Sequence, residues 1–234
     1  MKLTICNITY DLKNTITNHT TLLSCLFTIK HTLNRSLAFR SGCKSGVCGS
    51  CAVKINGVEK LACKTTIKEG DIISPLNNIK IIKDLVVDST VKLSSLQTSH
   101  AYLESKSNID ITKDDVEKID TESNCILCSS CISACPVYSV NKNFIAPFAL
   151  MRNFRYINDS KENIIDEKIQ AVQENGIWDC TLCGNCNMVC PSHIDIKGDI
   201  EKLRNKSAQF GYNNPNMNLG FDTSLNFGFN PNGF

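Results

Sequence analysis

Cys125-Ile126-Leu127-Cys128-Ser129-Ser130-Cys131-Ile132-Ser133-Ala134-Cys135-Pro136 is answered, fifty-five residues downstream, by Cys180-Thr181-Leu182-Cys183-Gly184-Asn185-Cys186-Asn187-Met188-Val189-Cys190-Pro191. Both runs read C-x2-C-x2-C-x3-C-P, so the chain carries an internal repeat. Three thiolates at such intervals fit three corners of a cubane iron–sulfur cluster, and the fourth lies further along and points away. Where two runs share a chain, that fourth cysteine ligates the other cluster. The spacing therefore assigns Cys125, Cys128, Cys131 and Cys190 to one cubane, and Cys135, Cys180, Cys183 and Cys186 to a second. The proline closing each run is expected to keep regular helix from running on into the cluster.

Upstream lies a different pattern. Ser41-Gly42-Cys43-Lys44-Ser45-Gly46-Val47-Cys48-Gly49-Ser50-Cys51, completed by Cys63, is C-x4-C-x2-C-x11-C. This is the plant-type arrangement of a 2Fe–2S centre. The eleven-residue gap contains Asn56-Gly57, a strong signal for a two-residue hairpin turn. Folding back there returns Cys63 close to Cys51. The glycines let the preceding loop wrap closely and aim N–H groups at sulfur. Zinc is the competing ligand, although structural zinc sites usually pair two C-x2-C knuckles or add histidines.

These groups use twelve of the fourteen cysteines, leaving Cys6 and Cys25 alone. Lone thiols among apolar residues are usually small buried hydrophobes, and neither is given a role. A disulfide framework needs an oxidising compartment and usually a shorter chain. Met1-Lys2-Leu3-Thr4-Ile5-Cys6-Asn7 has no signal-peptide core, and no stretch approaches the roughly 18 apolar residues that span a bilayer. The expectation is a soluble chain made in the cytoplasm, its thiols reduced or metal-bound. A net charge of +2 gives no special attraction to nucleic acid.

Leu3 and Ile5, then Ile8, Tyr10 and Leu12, alternate as in a β-hairpin, and Leu22, Leu26, Ile29 and Leu33 predict a helix starting near Thr20. The pattern turns helical from about residue 84. Residues 104–124 are polar and connect two halves, Thr112 with Asp115 resembles an N-cap, and 140–177 holds further helices. Gly211 to Phe234 has seven Asn, four Gly and one charge, Asp222. It reads as a disordered tail, with docking of Phe221, Phe227, Phe229 and Phe234 on a partner as the alternative. The domains expected are 1–104 for the 2Fe–2S centre, 105–210 for the two cubanes, and 211–234 for the tail. His19, His31, His100 and His193 are scattered, and no dinucleotide fingerprint or phosphate loop appears. Three clusters without a catalytic constellation imply electron relay.

Arg40-Ser41-Gly42-Cys43, Lys60-Leu61-Ala62-Cys63-Lys64-Thr65, Lys83-Asp84-Leu85-Val86-Val87-Asp88, Phe144-Ile145-Ala146-Pro147 and Gly176-Ile177-Trp178-Asp179-Cys180-Thr181 resemble the iron–sulfur subunit of succinate dehydrogenase and fumarate reductase. The resemblance implies an α+β chain, with an N-terminal β-grasp 2Fe–2S ferredoxin domain followed by an all-α helical ferredoxin domain. It also implies a place between a FAD-containing flavoprotein that interconverts succinate and fumarate and a membrane anchor that handles quinone. The 2Fe–2S centre would face the flavin and the second cubane the quinone, with Pro136 and Thr181 as quinone-side candidates. Such a subunit sits peripherally on the bacterial inner membrane, on its cytoplasmic side. Many relatives lack a cysteine at the position of Cys183 and carry 3Fe–4S there; Cys183 predicts 4Fe–4S. Thr181 and Val140 resemble fumarate reductase more than ubiquinone-reducing succinate dehydrogenase. The alternatives are the iron–sulfur subunit of another flavoenzyme, of thiol-linked fumarate reductase or glycolate oxidase type, and a zinc-stapled interaction module.

Overall fold

The computed structural model describes residues 1–12, 20–105 and 107–215. The tail from residue 216 onward, with its phenylalanines, and His19 lie outside the described residues.

Strands β1 (Lys2–Ile5) and β2 (Ile8–Asp11) form the expected first hairpin, and Leu3, Ile5, Tyr10 and Leu12 are buried. Helix α1 (Leu22–Thr32) starts where the side chain of Thr21 accepts the Ser24 N–H. It buries Leu22, Leu23, Cys25, Leu26 and Ile29 against the sheet, and Lys30 and His31 face its negative end. Next come β3 (Ala52–Ile55), β4 (Val58–Leu61) and β5 (Ile72–Ser74). The five strands lie in the order β2-β1-β5-β3-β4, with β1 and β5 parallel and the other pairs antiparallel.

Between β3 and β4, Asn56 (φ 50°) and Gly57 (φ 84°) are both left-handed, the primed turn whose twist matches the strands it joins. The Asn56 amide also ties the turn to β5, donating to Asp71 at 2.8 Å and accepting from the Ile72 N–H at 2.9 Å. The register pairs Ala52 with Leu61, and the Ala62 N–H reaches the Cys51 carbonyl at 3.1 Å. Pairing therefore delivers Cys63 beside Cys51, as the hairpin predicts.

Two expectations need adjusting. Ile8 and Leu33, both counted as pattern residues, are each 54% exposed. The helical pattern also begins later than residue 84. A small hairpin, β6 (Ile81–Lys83) and β7 (Val86–Val87), turns at Asp84 (φ 46°), whose carboxylate holds the Ala38 N–H at 2.7 Å. Helix α2 starts at Thr90 and ends at Thr98.

The remainder is helical: α3 (Lys113–Glu117), α4 (Asp120–Ser123), α5 (Ser130–Ser133), α6 (Pro136–Val140), α7 (Pro147–Ile157), α8 (Ile165–Gln170), α9 (Asn185–Met188) and α10 (Ile196–Gln209). The capping box at α3 is complete, Thr112 and Asp115 each bonding the other's backbone N–H. Helix α5 ends at Ser133 and Cys135 is extended, so no helix runs on through the end of the run; Pro136 itself opens α6, with Cys135 as N-cap, because a ring with no N–H suits the first helical position. Helix α7 buries Phe148, Ala149, Leu150, Met151, Phe154 and Ile157 and packs against α2, α4, α5, α8 and α10. Among the described residues no helix is long and apolar enough to cross a membrane.

The stretch joining the two halves is fastened by a buried cation. Lys168 is fully buried, and its ammonium donates to the carbonyls of His100 (2.9 Å) and Tyr102 (2.6 Å) and pairs with Glu104 and Glu162, each at 3.1 Å. Glu162 accepts the N–H groups of Glu104 and Ser105, while Asn153 donates to the Ser99 carbonyl. A charge so placed is tolerable only because every donor on it is used.

Asp199 on α10 is also buried, with one oxygen on Lys202 at 3.0 Å and the other unpartnered. Burial, with Glu122 and Asp195 nearby, pushes its carboxyl up to about 6 despite Lys202. The folded state then holds more protons than the unfolded one between pH ~4 and about 6, so this group's contribution falls as pH rises through that window. Going from pH 5 to 7, the wild type is expected to lose about 1 kcal/mol relative to Asp199→Asn, read from denaturation midpoints of the loaded protein. Parallel pH profiles for the two proteins would contradict this.

Candidate metal centres

The loop from Ser41 to Cys51 is built around sulfur. The N–H groups of Ser45 and Val47 donate to Cys43 Sγ, and that of Cys43 to Cys48 Sγ, each at 3.4 Å. Bonds from Ser45, Val47 and Cys48 hold the Cys43 thiol down at about 5. Cys48 Sγ lies 3.2 Å from the Ser50 hydroxyl. A Cβ on Gly42 would stand 2.9 Å from Cys48 Sγ, so the cradle has room only for glycine. Cys43 and Cys48 are exposed, while Cys51 and Cys63 are buried and in hydrogen-bond contact, with burial pushing Cys51 up to about 11. Two sulfurs thus face outward and two the core.

The two cubane-type runs fold alike. Leu127 (φ 51°) and Leu182 (φ 54°) are left-handed at matching positions, as are Ser129 (φ 68°) and Gly184 (φ 79°). That strained backbone turns the N–H of Leu182 onto Cys180 Sγ (3.5 Å), and Leu127 supports Cys125 in the same way. Short helices α5 and α9 then carry the third cysteine of each run into the interior. The last cysteine of each run also receives a backbone N–H, Cys135 from Tyr138 at 3.4 Å and Cys190 from Ile194 at 3.5 Å.

Each run ends in the other's cavity. Cys125, Cys128, Cys131 and Cys190 line one cavity, together with Phe148, Met151 and Ile196. Cys135, Cys180, Cys183 and Cys186 line a second, with Pro147, Thr181 and Lys197. Burial pushes the thiols of Cys125, Cys128, Cys135 and Cys180 upward, Cys131 far up, and Cys186 up to about 12. Such thiols ionise only when a cation takes the proton's place, the behaviour of metal ligands. The buried hydroxyl of Ser129, at the first cavity, has no partner. The donor sets fit iron–sulfur clusters. Among the described residues no three His, Cys, Asp or Glu side chains meet around a single ion.

The first cavity abuts the upstream loop. Gly49 (φ +66°) packs so tightly that a Cβ would lie 2.6 Å from the Ile126 carbonyl oxygen and 2.9 Å from Cys128 Cα. Asn78 donates to the carbonyls of Ile132, Ser133 and Cys135, and Ser133 bonds both the Asn77 N–H and Glu59. Of the remaining candidates, Pro136 and Thr181 are exposed; Thr181 borders the second cavity, and Val140, at the end of α6, is 85% exposed.

Residues 5–94 match the model of a 2Fe-2S iron-sulfur cluster binding domain, and residues 122–194 that of a 4Fe-4S dicluster domain. The chain is 36% identical over 203 residues to the fumarate reductase iron-sulfur subunit of Escherichia coli, covering 81% of this chain and 82% of that one. It belongs to the succinate dehydrogenase/fumarate reductase iron–sulfur subunit family. It is also 39% identical over 203 residues to an iron-sulfur protein of Methanococcus maripaludis, of which it spans 40%. Among solved structures, a chain of the Mycobacterium smegmatis Sdh1 complex in the apo form superposes with a TM-score of 0.79 at 23% identity, covering 91% of this chain and 97% of that one. That likeness speaks for the α+β fold.

This iron–sulfur subunit is thus an electron-transfer protein with 2Fe–2S and 4Fe–4S binding domains. The zinc-stapled reading is set aside by the two domain matches. Sequence reasoning missed the residues that surround the sulfurs: Ser129, Asn78, and the contact of Gly49 with Cys128. Only Gly49 left a trace, as one more glycine beside a cysteine.

Proposed function

We propose that this subunit carries electrons between a FAD-containing flavoprotein that interconverts succinate and fumarate and a quinone held by a membrane anchor. Three clusters would act in series: 2Fe–2S on Cys43, Cys48, Cys51 and Cys63, 4Fe–4S on Cys125, Cys128, Cys131 and Cys190, and a second 4Fe–4S on Cys135, Cys180, Cys183 and Cys186. The reading divides the chain into a 2Fe–2S unit at 1–104 and a helical unit at 105–210, and locates it on the cytoplasmic side of a bacterial inner membrane. The observation that carries it is the crossed lining of the two cavities, four cysteines to each. When bound, each cluster supplies a reversible one-electron site.

The chain's own residues supply order and insulation. The exposed Cys43 and Cys48 offer the first centre to a flavoprotein, and Gly49 lets that loop touch the backbone of Cys128. Exposed Thr181 lines the second cavity, and exposed Pro136 follows its ligand Cys135 in the chain; together they offer an apolar and hydroxyl surface to the anchor and its quinone. Cys183 lines that cavity beside the other three thiols, which favours a complete cubane. Oxidised protein prepared without air is then expected to lack the paramagnetic signal of a three-iron cluster, and Cys183→Ser to gain it. A stoichiometric three-iron signal in wild type, unchanged in the variant, would contradict the assignment.

The function is tested on the complex purified from its own host. Succinate should reduce the clusters, or fumarate reoxidise them, through a co-purifying flavoprotein. Clusters that respond instead only to a thiol or to glycolate would place the subunit with another flavoenzyme.

A further inference from the structure

The cavity of Cys125, Cys128, Cys131 and Cys190 is bounded on one side by α7, through Phe148 and Met151. The next residue along is Arg152. Its Nη2 donates to the Tyr156 hydroxyl at 3.3 Å, and the guanidinium lies 5.7 Å from that ring. Its Nε is buried and has no protein acceptor. A buried N–H is rarely left unpaired, so an acceptor belongs there that the polypeptide does not supply. Arg152 follows Phe148 by one helical turn on α7, so it shares the face that bounds the cavity, and its charge reaches Cys125.

A second cation approaches from α2. Lys92 is desolvated, and its charge acts on Cys128, Cys125 and Cys131, with Arg40 as a like-charged neighbour. The second cavity is different. Arg204, the cation acting on Cys180, spends its donors on the carbonyls of Ile177, Trp178 and Cys180, and Lys197, which lines this cavity, is paired with Glu201 at 3.6 Å.

We propose that Arg152, assisted by Lys92, sets the reduction potential of the central cluster. Reduction adds one negative charge to the cluster. A fixed positive charge and an N–H donor at low dielectric favour the more negative form, so the potential rises. Arg152 touches neither substrate nor reacting atoms of the flavin or quinone sites; it tunes the relay through the cluster. The proposal rests on the ligand assignment above.

The experiment is a redox titration of the loaded complex followed by electron paramagnetic resonance, with the other two clusters as internal references. Arg152→Gln is expected to lower the central potential by about the 59 mV that equals a tenfold change in a one-electron equilibrium. Arg152→Lys should recover part of it, and Lys92→Gln should shift the same cluster in the same direction by less. A central potential unmoved in Arg152→Gln, or equal shifts at all three clusters, would overturn the proposal. If Arg152→Gln loses the cluster, Lys92→Gln decides, and an unmoved potential there counts against it. Wild type with no four-iron cluster at these cysteines would instead overturn the ligand assignment beneath it.

Discussion

Cys190→Ala is expected to abolish the cluster of Cys125, Cys128 and Cys131, more than fifty residues upstream, and to leave the Cys180-Cys183-Cys186 cluster as the better preserved of the two. Cys190 closes the first cavity, and its sulfur is held there by the Ile194 N–H at 3.5 Å. It does not turn back to its own run, because α9 carries Cys186 into the second cavity while Cys190, beyond the end of that helix, lines the first. Without a fourth thiolate, three buried sulfurs must either ionise uncompensated or take up protons, and burial favours protons. The loss should extend to stability, since the crossed ligands bind the two runs together and metal binding is folding free energy. Cluster-resolved spectra with iron counts make the measurement. Selective loss of the downstream cluster would refute the crossed arrangement.

Lys168→Met should cost about 3–5 kcal/mol of stability, because it leaves Glu104 and Glu162 charged against a dry interior. The carbonyls of His100 and Tyr102 lose their donor as well. Replacing the glutamates too, in Lys168→Met/Glu104→Gln/Glu162→Gln, should recover much of the loss, since no unpaired charge then remains. Denaturant midpoints of the loaded protein compare the three forms. A loss below about 1 kcal/mol for the single variant would show that the latch does not hold the connection between the halves.

Chemistry written in short spacings was legible. The three cysteine groups, the Asn56-Gly57 turn that returns Cys63, helix α1 and the Thr112 cap could all be read because each is a local pattern with a fixed geometry. The β6–β7 hairpin was hidden because Asp84 turns the chain by a positive φ that its residue type barely advertises. The latch at Lys168 went unread, because nothing local says that two glutamates and two carbonyls surround it. Arg152 and Lys92 were invisible for the same reason: their relation to Cys125 and Cys128 exists only after α2 and α7 pack over the cavity.

The central claim is three clusters in one chain on twelve named cysteines, and iron counting joined to electron paramagnetic resonance of anaerobically prepared protein tests it most directly. The account predicts about ten iron per chain, one reducible two-iron signal, and no three-iron signal in the oxidised state. Bound zinc in place of iron, or only one cubane's worth of iron beside the two-iron centre, would contradict it.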